Sequence, residues 1–326
     1  MTRPILITGV AGFLGTNLAL RLLREGHQVV GIDNFYTGTR INAEILAQQK
    51  NFKMIEHDVR NPFPEIDAAQ LYHLACPASP PQYQRDPILT TLINIEGMKN
   101  ALDFATKRKI PVLQASTSEV YGDPEQHPQT EEYRGAVNPH GIRACYDEGK
   151  RVAETLCMDY HRQHGTRVKI MRIFNTYGPY MDARDGRVVS NFICQALRGE
   201  AFTLYGGGKQ TRSFCFVDDL IDGMVRLMNS ADEVTGPINI GNPDEFSVAE
   251  LADAIEELIG DRLPRHTLPM PGDDPKQRCP DITKAKQILG WSPQVKLRDG
   301  LKKTIPWFEE ILSKEGTYGT RRSVNI

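Results

Sequence analysis

The sequence predicts an α/β fold: a doubly wound parallel sheet followed by a smaller C-terminal substrate-binding domain. Three observations predict it. Short apolar runs alternate with amphipathic stretches of helical length as far as about residue 175. A glycine-spaced turn joins the first apolar run to the first helix, and an acid closes the second run. Strands separated by helices of this length need right-handed crossovers, which build a parallel sheet covered on both faces.

The first element is the most informative. Ile5 to Ile7 reads as a short buried strand, and Gly9, Gly12 and Gly15 then space a turn and open a helix with Leu14, Leu18 and Leu22 on one face. Such glycines allow a tight turn, close approach of the backbone to a pyrophosphate, and close packing of helix on strand. The helix N-terminus adds free N–H groups and the positive end of a dipole. A second strand, Gln28 to Ile32, ends at Asp33, 18 residues past Gly15. A carboxylate there accepts from an adenine ribose and repels a 2′-phosphate, so this Rossmann-type unit is predicted to bind NAD rather than NADP.

After Asp33 comes the loop Asn34 to Arg40, then a helical stretch and a strand at Phe52 to Glu56. A strand at Gln70 to Leu74 leads into the proline-dense Ala75 to Pro81, read as irregular. A helix over Ile88 to Lys107, a strand at Val112 to Ala115, a helix from Cys145 to about His164 and a strand at Arg167 to Ile173 complete the first half. The loops at 9–15, 33–38, 74–81 and 115–121 all follow strands, where ligands of such sheets sit. Beyond Asn175 the pattern is less regular. A helix at Val188 to Leu197 and a strand at Thr203 to Tyr205 come first. A strand–helix–strand excursion within about 212–241 could rejoin the sheet, and a helical cap from Val248 follows, with a loop over Pro264 to Pro280 and a last helix over Leu297 to Leu312. The expected division is 1–175 for the dinucleotide, 176–316 for the substrate, and a frayed tail over 317–326.

Composition narrows the function classes. With 40% hydrophobic and 25% charged residues and a net charge of −2, nothing invites nucleic acid or an anionic membrane surface. The six cysteines form no C-x-x-C pair, so neither zinc nor a disulfide framework is expected, and free thiols suit a reducing compartment. No apolar run reaches the roughly 18 residues of a spanning helix. A chain that enters its first strand at once leaves no room for a signal peptide, and a cytoplasmic enzyme without a metal is the expectation.

Tyr146 and Lys150 are four apart on a predicted helix and share a face. Alone this is a weak signal. A second such pair, Tyr205 and Lys209, encloses Gly206 to Gly208 and will not hold a helical face. The first copy follows a strand whose exit loop carries Thr117, and Thr117, Tyr146 and Lys150 together resemble the catalytic set of the short-chain dehydrogenase/reductase superfamily. For Tyr146 to act as a base its pKa must fall by roughly 3 units from about 10. A lysine ammonium about 4 Å away at an effective dielectric near 20 could supply about that much, with the positive nicotinamide adding to it. Glu119, two residues after Thr117, is placed to move a proton at the carbon beside a carbonyl; otherwise it caps the turn.

Longer blocks sharpen the resemblance. Cys76 to Tyr83 (CPASPPQY), Ser116 to Pro124 (STSEVYGDP), Ala144 to Arg151 (ACYDEGKR), Arg172 to Pro179 (RIFNTYGP), Asp185 to Phe192 (DGRVVSNF), Gly208 to Phe214 (GKQTRSF) and Asp273 to Arg278 (DDPKQR) occur in order. The chain resembles the UDP-glucuronate decarboxylases (UDP-xylose synthases) of the extended short-chain dehydrogenase family over about residues 3 to 312. The resemblance implies that Gly9, Gly12, Phe13, Leu14, Gly15, Asp33, Asn34, Tyr36, Thr37, Gly38, Asp58, Val59 and Leu74 hold NAD, with Tyr146 and Lys150 at its reactive end. It implies Asn175, Arg187, Val188, Asn191, Tyr205, Gln210 and Arg212 for the uridine diphosphate, with Tyr160 and Gln163 nearby, and Arg278 for the sugar carboxylate. An arginine suits paired recognition of phosphate or carboxylate oxygens.

The catalytic set implied is Thr117, Ser118, Glu119, Tyr146, Lys150 and Arg278, working in a homodimer joined through the helices at 88–107 and 146–164. The activity implied is conversion of UDP-glucuronate to UDP-xylose by oxidation at C4, loss of carbon dioxide from the resulting 4-ketone, and re-reduction. A nucleotide-sugar 4,6-dehydratase, a 4-epimerase, a decarboxylase that stops at the keto-pentose, and an idle NAD-binding regulator are the alternatives. Two positions depart from the family pattern: Leu92 stands where a lysine is expected, and Tyr180 where an arginine is.

Overall fold

The computed structural model describes residues 3–269, 277–314 and 316. Residues 270–276 of the loop expected at Pro264 to Pro280, which include Asp273 to Lys276, and the tail Thr317 to Ile326 lie outside the described residues.

Strands β1 (Ile5–Thr8), β2 (Val29–Asp33), β3 (Phe52–Glu56), β4 (Gln70–His73), β5 (Val112–Thr117) and β6 (Val168–Ile173) alternate with helices α1 (Phe13–Arg24), α2 (Arg40–Ala47), α3 (Pro80–Tyr83), α4 (Pro87–Leu92), α5 (Met98–Arg108) and α6 (Ala144–His164). A π-helical turn, Ile93–Gly97, runs α4 into α5. The prolines of α3 sit in its first turn, where a missing N–H has no intrahelical partner to lose. That is why a segment read as irregular begins a helix.

Past Asn175 come β7 (Thr176–Tyr177), α7 (Val188–Arg198), β8 (Phe202–Tyr205), β9 (Thr211–Ser213), β10 (Cys215–Phe216), α8 (Val217–Met228) and β11 (Ile238–Ile240). They are followed by β12 (Glu245–Ser247), α9 (Val248–Ile259), β13 (Arg265–Leu268), α10 (Thr283–Leu289) and α11 (Leu297–Lys314).

Seven strands form one parallel sheet in the order β11-β6-β5-β4-β1-β2-β3. Its strands alternate between two cores. Ile5, Ile7 and Val29 face the side covered by α1 and α8, while Leu6, Val30 and Ile32 face Met98, Leu102 and Ala153 of α5 and α6. Burial on both faces explains the unbroken apolar runs of β1 and β2. The strand order reverses between β1 and β4, and the crevice beyond their carboxyl ends is where such a sheet binds its ligand. Thr8 Oγ1 ties that crevice, 2.9 Å from His73 Nδ1 and accepting from the Leu74 and Ala75 amides.

Two expectations about the second half change. Only β11 of the 212–241 excursion joins the sheet, Ile238 beside Met171, because β10 pairs instead with β7. The part after Val248 is not purely helical: β13 runs parallel to β8, while β12, just before Val248, pairs antiparallel with β9. All four β13 residues are exposed, so no apolar alternation betrays the strand.

Candidate active site

The cleft beyond the sheet encloses about 700 Å³ and is lined from both halves of the chain. On its dinucleotide side the glycine turn is built by close approach. Gly9 has φ +69°, and a Cβ there would lie 2.8 Å from the Ala75 amide nitrogen; a Cβ on Gly15 would lie 2.2 Å from the Gly9 carbonyl. Helix α1 starts at Gly12 with no side chain capping it, so its end faces the cleft open. Asp33 is 7% exposed and accepts from the Ala11 amide at 2.9 Å and the Phe35 amide at 2.8 Å. Burial pushes its pKa up against those N–H groups, which hold the charge in place. Arg40 lies over the Phe35 ring and reaches Glu56 at 3.3 Å.

Phe13, Leu14, Asn34, Tyr36, Thr37, Gly38, Val59 and Leu74 also line this side. These residues fit a dinucleotide. Asp58 does not line the cleft: its carboxylate is bound by Arg60 at 2.7 Å, which holds its pKa low.

At the inner end, β5 delivers Thr117 from its last position rather than from a loop, and α6 delivers Tyr146 and Lys150. Thr117 hydrogen-bonds the Tyr146 hydroxyl. Lys150 is buried and donates to the Ala115 carbonyl at 2.9 Å, with its ammonium 5.8 Å from the Tyr146 ring centroid. The expected lowering of the Tyr146 pKa by Lys150 is not seen. Burial raises the hydroxyl well above its ordinary value, and Thr117 and Arg187 offset only part of that. Desolvation outweighs a lysine that is committed to a carbonyl.

Beside this group is a charged knot. Glu119 is hydrogen-bonded by Arg143 and lies 3.3 Å from Arg278. Burial alone would raise its pKa, but Arg278, Arg143 and Arg212 together hold the carboxyl below its usual range. Arg278 is 1% exposed, lines the cleft, and has no hydrogen-bond partner for its Nη1 among the described residues. Asp147, one residue past Tyr146, lies 3.9 Å from Arg143 and has a buried oxygen without a hydrogen-bond partner among the described residues. Burial and the Glu119 charge push its pKa up to about 7.

Farther along the cleft, Arg187 is bound bidentately by Asp185 at 2.6 and 2.8 Å, and Asn191 donates to the Gly186 carbonyl. Ser118, Asn175, Val188, Tyr205, Gln210 and Arg212 line the same wall. Tyr160 and Gln163 are not brought to it. They sit about 21 and 26 Å along α6 from Tyr146 at 1.5 Å per residue, Tyr160 bonded to Asp103 and Gln163 exposed. Tyr180 lines the cleft with φ +71°, its ring 4.9 Å from that of Trp307. Leu92 does not line it.

Sequence reasoning singled out neither Arg143 nor Tyr83. Arg143 precedes Tyr146 by one helical turn, a spacing that could have placed both on one face. Tyr83 lies at the end of a proline-dense stretch with no periodicity to read.

Residues 5–241 match the NAD dependent epimerase/dehydratase family. UDP-glucuronic acid decarboxylase 5 of Arabidopsis thaliana is 55% identical over 298 residues, 91% of this chain and 86% of that protein. UDP-glucuronic acid decarboxylase 1 of Danio rerio is 52% identical, over 96% of this chain and 74% of that protein. Among solved structures, a UDP-glucuronic acid 4-epimerase from Bacillus cereus, in complex with UDP-glucuronic acid and NAD, superposes with a TM-score of 0.85 at 29% identity, covering 94% of this chain and 99% of that one. The glycine turn, the Thr117–Tyr146–Lys150 group and this extent of identity agree: the chain belongs to the NAD dependent epimerase/dehydratase family, within its UDP-glucuronic acid decarboxylase branch.

Proposed function

We propose that this enzyme decarboxylates UDP-glucuronate to UDP-xylose, and that the observation carrying the reading is Arg278, buried beside Glu119 in the cleft that Tyr146 also lines. A buried guanidinium with an unpaired nitrogen is a receptor for a carboxylate, and a neutral sugar would leave it unsatisfied.

NAD, held by the glycine turn and Asp33, supplies the two-electron oxidation at C4 and its reversal. Tyr146 removes the proton from the C4 hydroxyl, with Thr117 sharing the hydrogen bond. The 4-ketone is β to the C6 carboxylate, so when the C5–C6 bond breaks its electron pair passes to the carbonyl oxygen and carbon dioxide leaves. Thr117 and Tyr146 stabilise the enolate oxygen. Glu119, held ionised by its arginines, orients the water that returns a proton to C5 rather than acting as the acid itself. Tyr146 finally reprotonates the C4 oxygen.

Residues 1–175 with the return through 212–241 serve the dinucleotide, and the remainder of 176–316 serves the nucleotide sugar. A homodimer through α4, α5 and α6 accords with the 74% exposure of Ile88 and 37% exposure of Val152 on those helices. All six cysteines are free, which suits a cytoplasmic location. No helix among the described residues is long and apolar enough to cross a membrane.

The test is incubation with UDP-glucuronate and NAD, followed by chromatographic separation of the nucleotide product against standards and its mass analysis. A UDP-pentose two hydrogens heavier than the keto-pentose supports the full cycle. UDP-galacturonate without carbon dioxide overturns it in favour of a 4-epimerase.

A further inference from the structure

Three side chains that the reaction does not use converge next to Arg278. His127 comes from the loop after β5, Glu245 from β12, and Cys279 from the segment leading to α10. One imidazole nitrogen, one carboxylate oxygen and the thiol sulfur all lie within 4.8 Å of one another, the one such group among the described residues. His127 Nε2 is 2.9 Å from Glu245 Oε2, and Thr211 Oγ1 donates to the other carboxylate oxygen at 2.9 Å. Cys279 is 5% exposed, while the His127 and Glu245 side chains reach solvent at 33% and 27%. The site is thus closed on the sulfur side and open on the other.

The frame that holds these donors is rigid. Fully buried Gln129 stitches the His127 loop to Cys279, its amide donating to the Cys279 carbonyl at 2.9 Å and its side-chain oxygen accepting from the Cys279 amide at 3.0 Å. Glu245 is fixed by the ladder of β12 with β9, where it stands opposite Ser213.

We propose that His127, Glu245 and Cys279 bind one divalent cation of the zinc type, with water in the open fourth position. Mixed nitrogen, oxygen and sulfur donors suit zinc and disfavour magnesium or calcium, which take oxygen. Ligands roughly 2.0–2.3 Å from a tetrahedral zinc lie roughly 3.3–3.8 Å from each other, so shifts of under about 1 Å complete the site. On binding, a sulfur–metal bond replaces the S–H bond and the thiol proton passes to buffer. The metal ties the segment of Arg278 to the ladder that carries Arg212, two arginines of the cleft wall. The inference stands whichever sugar the cleft takes.

The test is titration of metal-free protein with Co²⁺, followed by displacement with Zn²⁺. The expected result is one equivalent per chain, with a near-ultraviolet thiolate-to-cobalt band that zinc removes. Cys279→Ser abolishes the band. His127→Ala, a surface change that leaves packing intact, weakens zinc binding beyond the roughly 10- to 100-fold typical of mutated second-shell partners. Zinc raises the melting temperature of the unmodified protein and of neither variant. A band that survives Cys279→Ser, zinc affinity unchanged in His127→Ala, or no saturable binding overturns the proposal. If Cys279→Ser does not fold, His127→Ala decides alone.

Discussion

Tyr83 lies flat against Tyr146, with ring centroids 5.0 Å apart and planes within 5° of parallel. The pair sets the orientation of the catalytic ring from a segment outside α6. Tyr83 is 1% exposed, and its buried hydroxyl has no partner among the described residues.

Removing that hydroxyl therefore loses no protein hydrogen bond. Tyr83→Phe is expected to change unfolding free energy by less than about 0.5 kcal/mol, or to stabilise. Tyr83→Ala deletes the ring and is expected to cost about 3–5 kcal/mol. Urea denaturation of the two variants beside the unmodified protein checks both figures.

Tyr146→Phe keeps the stack on Tyr83 and removes the base. No absorbance from reduced cofactor is expected after UDP-glucuronate is added, while binding of UDP persists. Thr117→Val, which keeps the volume but loses the hydrogen bond to Tyr146, is expected to slow turnover by roughly 10-fold, the worth of about 1.4 kcal/mol. Stopped-flow absorbance separates the two variants.

Asp147 and Glu119 oppose each other in pH dependence. The folded Asp147 pKa of about 7 exceeds its unfolded value of 3.8, so the folded state holds the extra proton and stability falls as pH rises between about 4 and 7. The Glu119 pKa is lowered, so its contribution is present above the unfolded value of 4.5 and is lost as pH falls through the folded one. Asp147→Asn is expected to be more stable than the unmodified protein at pH 8, by up to roughly a few kcal/mol, with the gain shrinking by pH 5. Denaturation at the two pH values measures it.

Asp33 is expected to set cofactor choice, since Arg40 is engaged by Phe35 and Glu56. NAD is expected to bind at least roughly 10-fold more tightly than NADP, a difference of about 1.4 kcal/mol. Asp33→Ala should narrow the gap chiefly by weakening NAD. Fluorescence titration with each dinucleotide distinguishes this from a neutral role.

The parallel sheet was legible because its strands are buried on both faces and its glycine turn follows a strand at fixed spacing. Thr117, Tyr146 and Lys150 were legible for the same reason, being tied to the ends of β5 and α6. Local pattern does not reveal the state of those groups. Lys150 could equally have faced the tyrosine hydroxyl, and its bond to Ala115 depends on how α6 docks on β5. Arg143 and Arg278 meet at Glu119 from distant parts of the chain, and no periodicity records that meeting. Tyr160 and Gln163 share a helix with Tyr146 but lie too far along it to reach the cleft.

Carbon dioxide release by Arg278→Ala, measured alongside UDP affinity, decides whether Arg278 receives the sugar carboxylate. Loss of a desolvated charged hydrogen bond of about 1.5–3 kcal/mol predicts a roughly 10- to 150-fold drop in decarboxylation of UDP-glucuronate, with UDP binding unchanged. Decarboxylation at the unmodified rate would remove Arg278 from the reaction and contradict the assignment of this wall to an acidic sugar.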